Sequence, residues 1–339
     1  MNTQPLTQPT PKPHLPWKTR LTIAFISALG YACRRSDGTV NRRLFNFFDR
    51  KHPPNIKPVD GVYSSDVAVD LTRDLWFRFF VPFSSSDADD AKIPVVVFFH
   101  GGGFSFSSPD SVAFDAVCRL FCRSFHAVIV SVNYRLSPEY RYPCQYDDGF
   151  DVVKFLDGNG AVLPKIADLS KCFLAGDSSG GNLAHHVAVR VSQQKLQVIK
   201  IIGLVSIQTF FGGEERTESE IRLKDVPLIN LEITDWEWKA FLPTGSDRDH
   251  EAANVSGPNA IDISSLDYPS TVVFTGGFDP LQDWQKRYYE WLRKSGKDAQ
   301  LIEYPSMIHG FYLFPELPQS THLIYEIKDF ISKQVSNVS

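Results

Sequence analysis

Hydrophobic and polar positions divide the 339-residue chain into two unlike parts. In the first part, helical periodicity extends to about Asp49 and a proline-rich joint follows at 53–58. The segments Val62–Asp70 and Leu75–Val81 then alternate as the strands of an antiparallel hairpin do. Beyond an acidic, serine-rich segment, Ser84–Lys92, which we expect to be an exposed loop, continuous apolar runs replace the alternation. Such runs are typical of strands that helices cover on both faces.

In the second part, predicted strands alternate with predicted helices. The strands are Val95–His100, Ala127–Val132, Cys172–Ala175, Ile199–Ile207, Val272–Thr275 and Gln300–Tyr304. The helices are Ser111–Phe125, Gln145–Leu156, Ser179–Val191 and Asp283–Ser295. This order predicts the α/β class, with one doubly wound and mostly parallel sheet. Residues 210–258 break the alternation and predict a cap-like insertion over the strand ends, where open α/β sheets bind ligands.

The N-terminal region allows two interpretations. Residues 1–16 contain five prolines, so we expect a disordered tail there. The segment Leu21–Ala32 could be the apolar region of a signal peptide, and secretion would make Asn254 and Asn337 potential glycosylation acceptors. It is too short to span a bilayer, which takes about 20 apolar residues. We favour a helix that packs on the body of the protein.

Composition excludes several function classes. The net charge is 35 − 39 = −4 and basic residues form no long block, so no nucleic-acid surface is expected. The five cysteines form no CxxC pair, which favours a reduced compartment over a disulfide scaffold. The nine histidines include no HExxH pattern, so we expect no metal site.

The segment FLAGDSSGGN, Phe173–Asn182, places Ser178 between glycines where a predicted strand passes into a predicted helix. A nucleophile elbow has this arrangement, with the serine in a strained turn and its hydroxyl exposed. Gly176 and Gly180 would remove side chains that clash where strand and helix approach. The alternative is an ordinary tight turn with incidental serines, since the bare GxSxG pattern is common.

The segment HGGGF, His100–Phe104, follows directly on a predicted buried strand. Its glycines leave backbone amides uncovered, and amides aimed at a developing oxyanion usually give the largest single catalytic contribution. The candidate donors are the amides of Gly102 and Gly103, together with that of Ser179, which follows Ser178. A phosphate-binding loop is the alternative, but neither GxGxxG nor GxxxxGK[ST] occurs.

A serine nucleophile needs a base, and the base needs an orienting carboxylate. Asp279 lies just past a predicted strand, and His309 lies in a short loop past the next one. The order Ser178, Asp279, His309 is the nucleophile–acid–base order of α/β-hydrolases. We expect the nearby Asp283 to cap the helix that begins at Trp284.

Five motifs in order resemble the hormone-sensitive-lipase group of α/β-hydrolases, and within it the plant carboxylesterases. They are HGGGF, SVNYRLSPE, GDSSGGN, DPLQD and IHGFY. The resemblance covers about residues 30–330 and implies a helical lid at 17–60 and an α/β-hydrolase catalytic domain at 61–335. It also implies a cofactor-free, cytoplasmic or nuclear enzyme. Such an enzyme would hydrolyse small or medium carboxylic esters with Ser178, Asp279 and His309 as its triad.

A branch of this family consists of gibberellin receptors, which are not enzymes. The chain resembles them in RRSDGTVNRRLFNFFDRK, FGGEERTESE and DWEWKAFLP. The receptors lack a histidine at His309, carry a serine at Gly103, and bind the hormone carboxylate with an Asp-Arg pair where this chain has Ile233 and Thr234. We therefore favour the esterase hypothesis. A hormone-binding protein with a vestigial triad and a dehydratase-type relative remain the alternatives.

The substrate is open at this point, and the partner expected is a small-molecule ester; whether a protein partner exists is unknown. Aromatic residues predict an apolar pocket, although aromatic side chains also fill cores. Phe104 and Tyr312 are the main candidates; the others are Phe106, Phe114, Phe210, Phe211 and Trp236. No segment is predicted to span a membrane.

Overall fold

The computed structural model of the protein describes residues 13–83 and 92–338. Most of the predicted N-terminal tail, residues 1–12, and the predicted loop at 84–91 lie outside the described residues. The strands are β1 (Val62–Asp70), β2 (Leu75–Pro82), β3 (Ile93–Phe99), β4 (Val128–Asn133), β5 (Ala167–Asp177), β6 (Ile201–Ile207), β7 (Ser270–Phe278) and β8 (Ala299–Ile308). The helices are α1 (Trp17–Cys33), α2 (Arg42–Phe48), α3 (Val112–Phe125), α4 (Cys144–Gly158), α5 (Ser179–Ser192), α6 (Glu218–Arg222), α7 (Leu231–Phe241), α8 (Gln282–Lys294) and α9 (Pro318–Asn337).

All eight strands form one sheet in the order β1-β2-β4-β3-β5-β6-β7-β8. Strands β1 and β2 form the predicted antiparallel hairpin, β2 also pairs antiparallel with β4, and every other pair is parallel. The predicted doubly wound, mostly parallel sheet is therefore confirmed. Because β3 lies beside β5, with Phe99 opposite Gly176, the loop after β3 meets the turn after β5.

Two apolar cores lie on opposite faces of the sheet. One contains side chains of α4, α5 and α8, and the other contains side chains of α3 and α9. Helix α9 is absent from the sequence prediction, although its buried residues Leu323, Ile327, Phe330 and Ile331 recur at helical spacing. The described parts of the chain thus enclose the sheet with helices on both sides.

The N-terminal helices lie over the region of the HGGGF loop. Cys33, Val40 and Phe106 form a small apolar cluster between this helical segment and the loop. The helix predicted around Leu21–Ala32 is present as α1, but only three of its residues are buried: Thr19, Ile23 and Cys33. Helix α1 therefore packs on the body of the protein, as expected, but through few residues. Apolar side chains such as Trp17 and Phe25 remain exposed.

The predicted insertion at 210–258 carries the two helices α6 and α7. Helix α7 buries Trp238 and Phe241 in the core on the side of α4 and α5. Asp235 on the same helix forms ion pairs with Arg216 and Arg248, which join different parts of the insertion to one another. The insertion is therefore anchored to the sheet by apolar packing at α7.

Several general properties follow from the described residues. None of their helices is long and apolar enough to cross a membrane. All five cysteines are free thiols, and Cys118 and Cys122 are buried together on α3. Within 13–83 and 92–338, no cluster of three or more His, Cys, Asp or Glu residues could hold a metal ion.

The central strand β5 should dominate stability. Leu174 is completely buried there, and Leu174→Ala is expected to lower the free energy of unfolding by about 2–5 kcal/mol, since the cavity adds to the lost transfer energy. Urea denaturation measures the change. Leu71→Ala is the matched control, because Leu71 is 86% exposed and should change stability by less than about 0.5 kcal/mol. Equal effects of the two substitutions would contradict the assigned packing.

Candidate active site

Ser178 occupies the sharp turn between β5 and α5. Its backbone has φ 51° and ψ −122°, a strained conformation for a residue with a side chain. A Cβ atom on Gly176 would overlap the carbonyl of Gly180, and one on Gly180 would overlap the carbonyl of Phe99. The predicted clash between strand and helix is present at Gly176, whereas Gly180 is required by the approach of α5 to the end of the neighbouring strand β3. The turn leaves Ser178 partly exposed at the carboxyl edge of the sheet.

Three side chains from separate loops form one hydrogen-bonded series. The hydroxyl of Ser178 lies 3.0 Å from Nε2 of His309, and Nδ1 of His309 lies 2.8 Å from Oδ2 of Asp279. These residues follow β5, β7 and β8, so the parallel sheet brings together positions that are far apart in the sequence. The geometry is that of a nucleophile, a base and an orienting carboxylate.

The Asp279 carboxylate is fully buried and surrounded by hydrogen-bond donors. Oδ2 also accepts from the side-chain amides of Gln285 at 3.0 Å and Gln208 at 3.1 Å, and Oδ1 accepts from the amide of Leu281 at 2.9 Å. Gln208 also contacts the loop that carries His309. Its side-chain amide donates to the carbonyl of Ile308, and its side-chain oxygen accepts from the amide of Gly310. Gln208 thus fixes the acid loop and the base loop relative to each other.

The charge environment of His309 favours its protonated form. Burial lowers the pKa of the His309 imidazole, but the Asp279 carboxylate opposes burial by charge and hydrogen bonding. The charges of Asp177 and Glu237 act in the same direction, and the net pKa is raised above the ordinary 6.5. His309 is therefore a stronger base than a free imidazole.

The HGGGF loop turns sharply beside Ser178. Gly102 and Gly103 have φ values of 116° and 60°, which favour glycine, and the amides of Ser105 and Phe106 both donate to the carbonyl of Gly102. Among the described residues, the amides of Gly102 and Gly103 have no hydrogen-bond acceptor. Ser179 is the first residue of α5, so its amide belongs to the unpaired first turn of a helix. These three amides are free to receive a ligand oxygen.

Asp177 joins the HGGGF loop to the nucleophile strand. Its Oδ1 accepts from the amide of Gly101 at 2.8 Å, and its second oxygen lies where a Cβ of Gly101 would be. Burial raises the pKa of Asp177 to about 6, although the nearby Tyr312 hydroxyl and the Gly101 amide lower it. Its position fixes the distance between the loop and Ser178.

Arg42 of α2 binds the segment that follows the HGGGF loop. Its guanidinium donates to the carbonyl of Ser105, to the carbonyl of Ser137 at 2.7 Å, and to the carboxylate of Glu139 at 2.6 Å. One side chain of the N-terminal segment therefore binds the backbone oxygen of the residue just after the HGGGF loop and one in the loop after β4. This contact couples the N-terminal helices to the site.

The two main aromatic candidates lie in the core. Phe104 is completely buried and its ring stacks on Phe241 with centroids 3.8 Å apart. Tyr312 is also buried, beside Phe121 on the other face of the sheet. Both rings pack among core side chains, and their role as substrate contacts stays a prediction. Phe104 follows Gly103, and Tyr312 comes shortly after His309, so both residues lie near the site although neither is exposed.

Asp283 does not cap α8, contrary to the expectation. The helix begins at Gln282 with Leu281 as its N-cap residue, and the Asp283 carboxylate accepts from the amide of Ser219 instead. The first turn of α6 has free amides to satisfy, and Asp283 is close enough to bind one. The prediction was wrong because it considered only local sequence.

Sequence patterns did not identify Gln208, Gln285, Asp177 or Arg42 as parts of the site. Gln208 follows directly on the buried strand β6, and a polar residue at a strand end is the one local signal available. Gln285 and Arg42 are ordinary helical residues in the sequence. Their roles depend on packing between distant segments.

Comparisons with known proteins agree with this geometry. A family model for the alpha/beta hydrolase fold matches residues 96–313. The chain belongs to the α/β-hydrolase family.

Relatives with known names fall into two groups. A gibberellin receptor of Arabidopsis thaliana is 39% identical, over 94% of this chain and 95% of the relative. Carboxylesterase 20 of the same plant is 35% identical, over 87% of this chain and 93% of the relative. These similarities confirm the predicted resemblance to plant carboxylesterases and to the receptor branch. A solved esterase of the archaeon Pyrobaculum calidifontis has a TM-score of 0.71 at 24% identity, over 94% of this chain and 92% of that one, which shows the shared fold.

The close approach of α5 to the end of β3 can be tested by adding one methyl group at Gly180. Gly180→Ala is expected to lower the free energy of unfolding by about 3 kcal/mol, because the new Cβ would overlap the Phe99 carbonyl. Thermal or urea unfolding measures it. Gly158→Ala is the matched control, since a Cβ there meets nothing within 4 Å. If Gly180→Ala were as stable as the control, the approach of α5 to the end of β3 would be less tight than described.

Proposed function

We propose that the protein is a serine carboxylesterase that hydrolyses small or medium carboxylic esters. The observation that carries the proposal is the continuous series of hydrogen bonds from Ser178 through His309 to Asp279. A binding protein does not need a base beside its serine, whereas an acyl-transfer enzyme does. The plant carboxylesterases among the relatives support the same reaction class.

In the proposed mechanism, Ser178 attacks the ester carbonyl carbon while His309 takes the hydroxyl proton at Nε2. Asp279 keeps Nδ1 protonated and stabilises the imidazolium that forms. The amides of Gly102, Gly103 and Ser179 bind the oxyanion of the tetrahedral intermediate. His309 then gives its proton to the leaving alcohol, and water attacks the acyl group on Ser178 in a second, equivalent cycle.

The proposal includes a cytoplasmic location, which the five free cysteines support. The proposed partner is a small-molecule ester, and the reaction as written uses only water and groups of this chain. Gly103 and His309 are two of the positions at which the sequence departs from the receptor motif, and the proposed mechanism uses both.

Binding of a hormone-like small molecule without turnover is the second candidate function. The observation that favours it is the similarity to gibberellin receptors, at 37–39% identity over most of the chain. A ligand would then lie beside Ser178 and the HGGGF loop, and Ser178 would contact it without reacting. The two functions differ in whether the serine is activated.

Replacement of Ser178 or His309 should abolish hydrolysis. We expect Ser178→Ala and His309→Val each to lower kcat for p-nitrophenyl butyrate by about a thousandfold or more, since a triad acts as a unit. The double variant should be no slower than either single variant. Initial rates with purified protein measure the effect.

Matched controls are Ser170→Ala, at the exposed end of β5, and His322→Val, on the exposed face of α9. Both should retain the rate of the unaltered protein. An unaltered protein that hydrolyses neither p-nitrophenyl acetate nor butyrate would remove the esterase proposal and favour the receptor-type candidate. Formation of a dehydrated product instead of an acid would favour a dehydratase.

The acidic limb of the pH profile should lie above the ordinary histidine pKa. His309 must be neutral to act as a base, and its pKa is raised. We therefore expect kcat/KM to reach its maximum at alkaline pH and to fall as the pH drops through the raised pKa of His309. Asp279→Asn removes the main raising charge and should move the limb to lower pH while reducing the plateau rate. Rates across pH about 5 to 9 measure both effects. A limb at or below 6.5 in the unaltered protein would contradict the assigned electrostatics.

A further inference from the structure

A carboxylate lies directly against the HGGGF loop. Glu237 of α7 is 5% exposed, and its side chain occupies the space that a Cβ of Gly103 would need. It is also close enough to His309 for its negative charge to raise the pKa of the imidazole. The proposed reaction does not use Glu237, yet this carboxylate borders both the oxyanion amides and the base.

Arg34, at the end of α1, neutralises that carboxylate. Its Nη2 donates to Oε1 of Glu237, and the side chains are only 14% and 6% exposed. The guanidinium lies 5.0 Å from the ring centre of Phe106 and 5.8 Å from that of Trp236. The ion pair therefore joins the N-terminal helices to α7 at the edge of the site, inside an aromatic surrounding.

The pair is incompletely satisfied. Nε of Arg34 is buried and has no hydrogen-bond partner among the described residues. A buried donor without an acceptor is costly, and a buried ion pair is offset only when its remaining donors and acceptors are bonded. A ligand atom that accepts from Nε would remove this deficiency. Glu237, the partner of Arg34, lies against Gly103, so the nearest ligand to the pair is one held at the proposed oxyanion amides.

The balance of charges restricts the chemistry of the ligand. An anionic group near the pair would bind Arg34 at the expense of Glu237, and a cationic group would do the reverse, so either would leave one buried charge without its partner. A hydroxyl is neutral and can both accept from Nε of Arg34 and donate to the Glu237 carboxylate. A purely apolar group would desolvate the pair without replacing any hydrogen bond.

We propose that Arg34 and Glu237 form a specificity element of the substrate site, which selects neutral esters with a hydroxyl group near the scissile carbonyl and discriminates against esters that carry a charge there. The inference rests on the proposed esterase function and names the substrate class of that site. Arg34 and Glu237 contact the substrate and do not transfer protons in the reaction.

A purely structural ion pair would behave differently. If Arg34 and Glu237 only attached α1 to α7, their replacement would change stability and all esters would be affected in the same proportion. A specificity element instead changes the ratio of kcat/KM values between esters of different charge. Ratios within one variant also cancel any loss of folded protein.

The test compares four p-nitrophenyl esters of similar acyl length: butyrate, 3-hydroxybutyrate, the monoester of glutarate and 4-(trimethylammonio)butyrate, with spontaneous hydrolysis subtracted. The unaltered protein should prefer 3-hydroxybutyrate and should disfavour both charged esters. Glu237→Gln keeps the shape of the side chain and leaves Arg34 uncompensated, so the glutarate-to-butyrate ratio should rise about tenfold or more. Arg34→Met should raise the ratio of the cationic ester to butyrate by a similar factor.

The double variant Arg34→Met/Glu237→Gln has no charge in the pair and should lose both the preference for the hydroxyl and the discrimination by charge. Glu215→Gln is the matched control, because Glu215 pairs with Arg287 on an exposed surface and should leave every ratio unchanged. Ratios that stay within about twofold of the unaltered protein in both single variants would overturn the inference. A preference of the unaltered protein for either charged ester would overturn it as well.

The corresponding p-nitroanilides separate this inference from the proposed function. Amides of this kind bind without rapid turnover, and their dissociation constants can be measured by quenching of tryptophan fluorescence in the same variants. If no ester is hydrolysed but the binding constants show the reversal by charge, the esterase proposal fails and the specificity element stands. If the esters are hydrolysed and neither rates nor binding show the reversal, the specificity element fails and the esterase proposal stands.

Discussion

The close crossing of β5 and α5 is the constraint on which the site depends. Backbone atoms of Gly176, Gly180 and Phe99 meet where side chains would overlap, and this forces Ser178 into its positive φ. Strand β3 pairs with β5 in the sheet, so the HGGGF loop begins beside the serine. Without two glycines at these positions the turn would open and the hydroxyl would leave the base. The turn at Ser178 and the pairing of β3 with β5 thus place the nucleophile beside the candidate oxyanion donors.

Charged and polar groups surround the turn that carries Ser178. Asp279 is buried beside His309 and also accepts hydrogen bonds from the amides of Gln208, Gln285 and Leu281. The charge of the Asp279 carboxylate and its hydrogen bond raise the pKa of the His309 imidazole. Asp177 and Glu237 add to the effect on His309. The N-terminal helices contribute through Arg42 at the HGGGF loop and through Arg34 at Glu237.

The fold class and the main candidate residues could be predicted because their signals are local. A buried strand, a glycine-flanked serine and a polar loop after a strand each occupy a few consecutive residues, and the order of the motifs restricts the topology. Gln208, Gln285 and Arg42 could not be found in this way, since their importance comes from contacts between segments distant in sequence. Phe104 shows the converse limit: an aromatic residue beside a site motif packs into the core, because its own backbone turn directs the ring inward. Asp283 binds α6 for a similar reason, as a tertiary contact replaced the expected local cap.

The central claim is that the surroundings of Ser178 activate it as a nucleophile. Its most direct test is covalent labelling with a fluorophosphonate, followed by peptide mass spectrometry. The account predicts one adduct per chain on Ser178, none on the adjacent Ser179, and a large loss of labelling in His309→Val. No adduct on the unaltered protein, or an adduct that forms equally fast without His309, would show that the serine is not activated and would contradict the account.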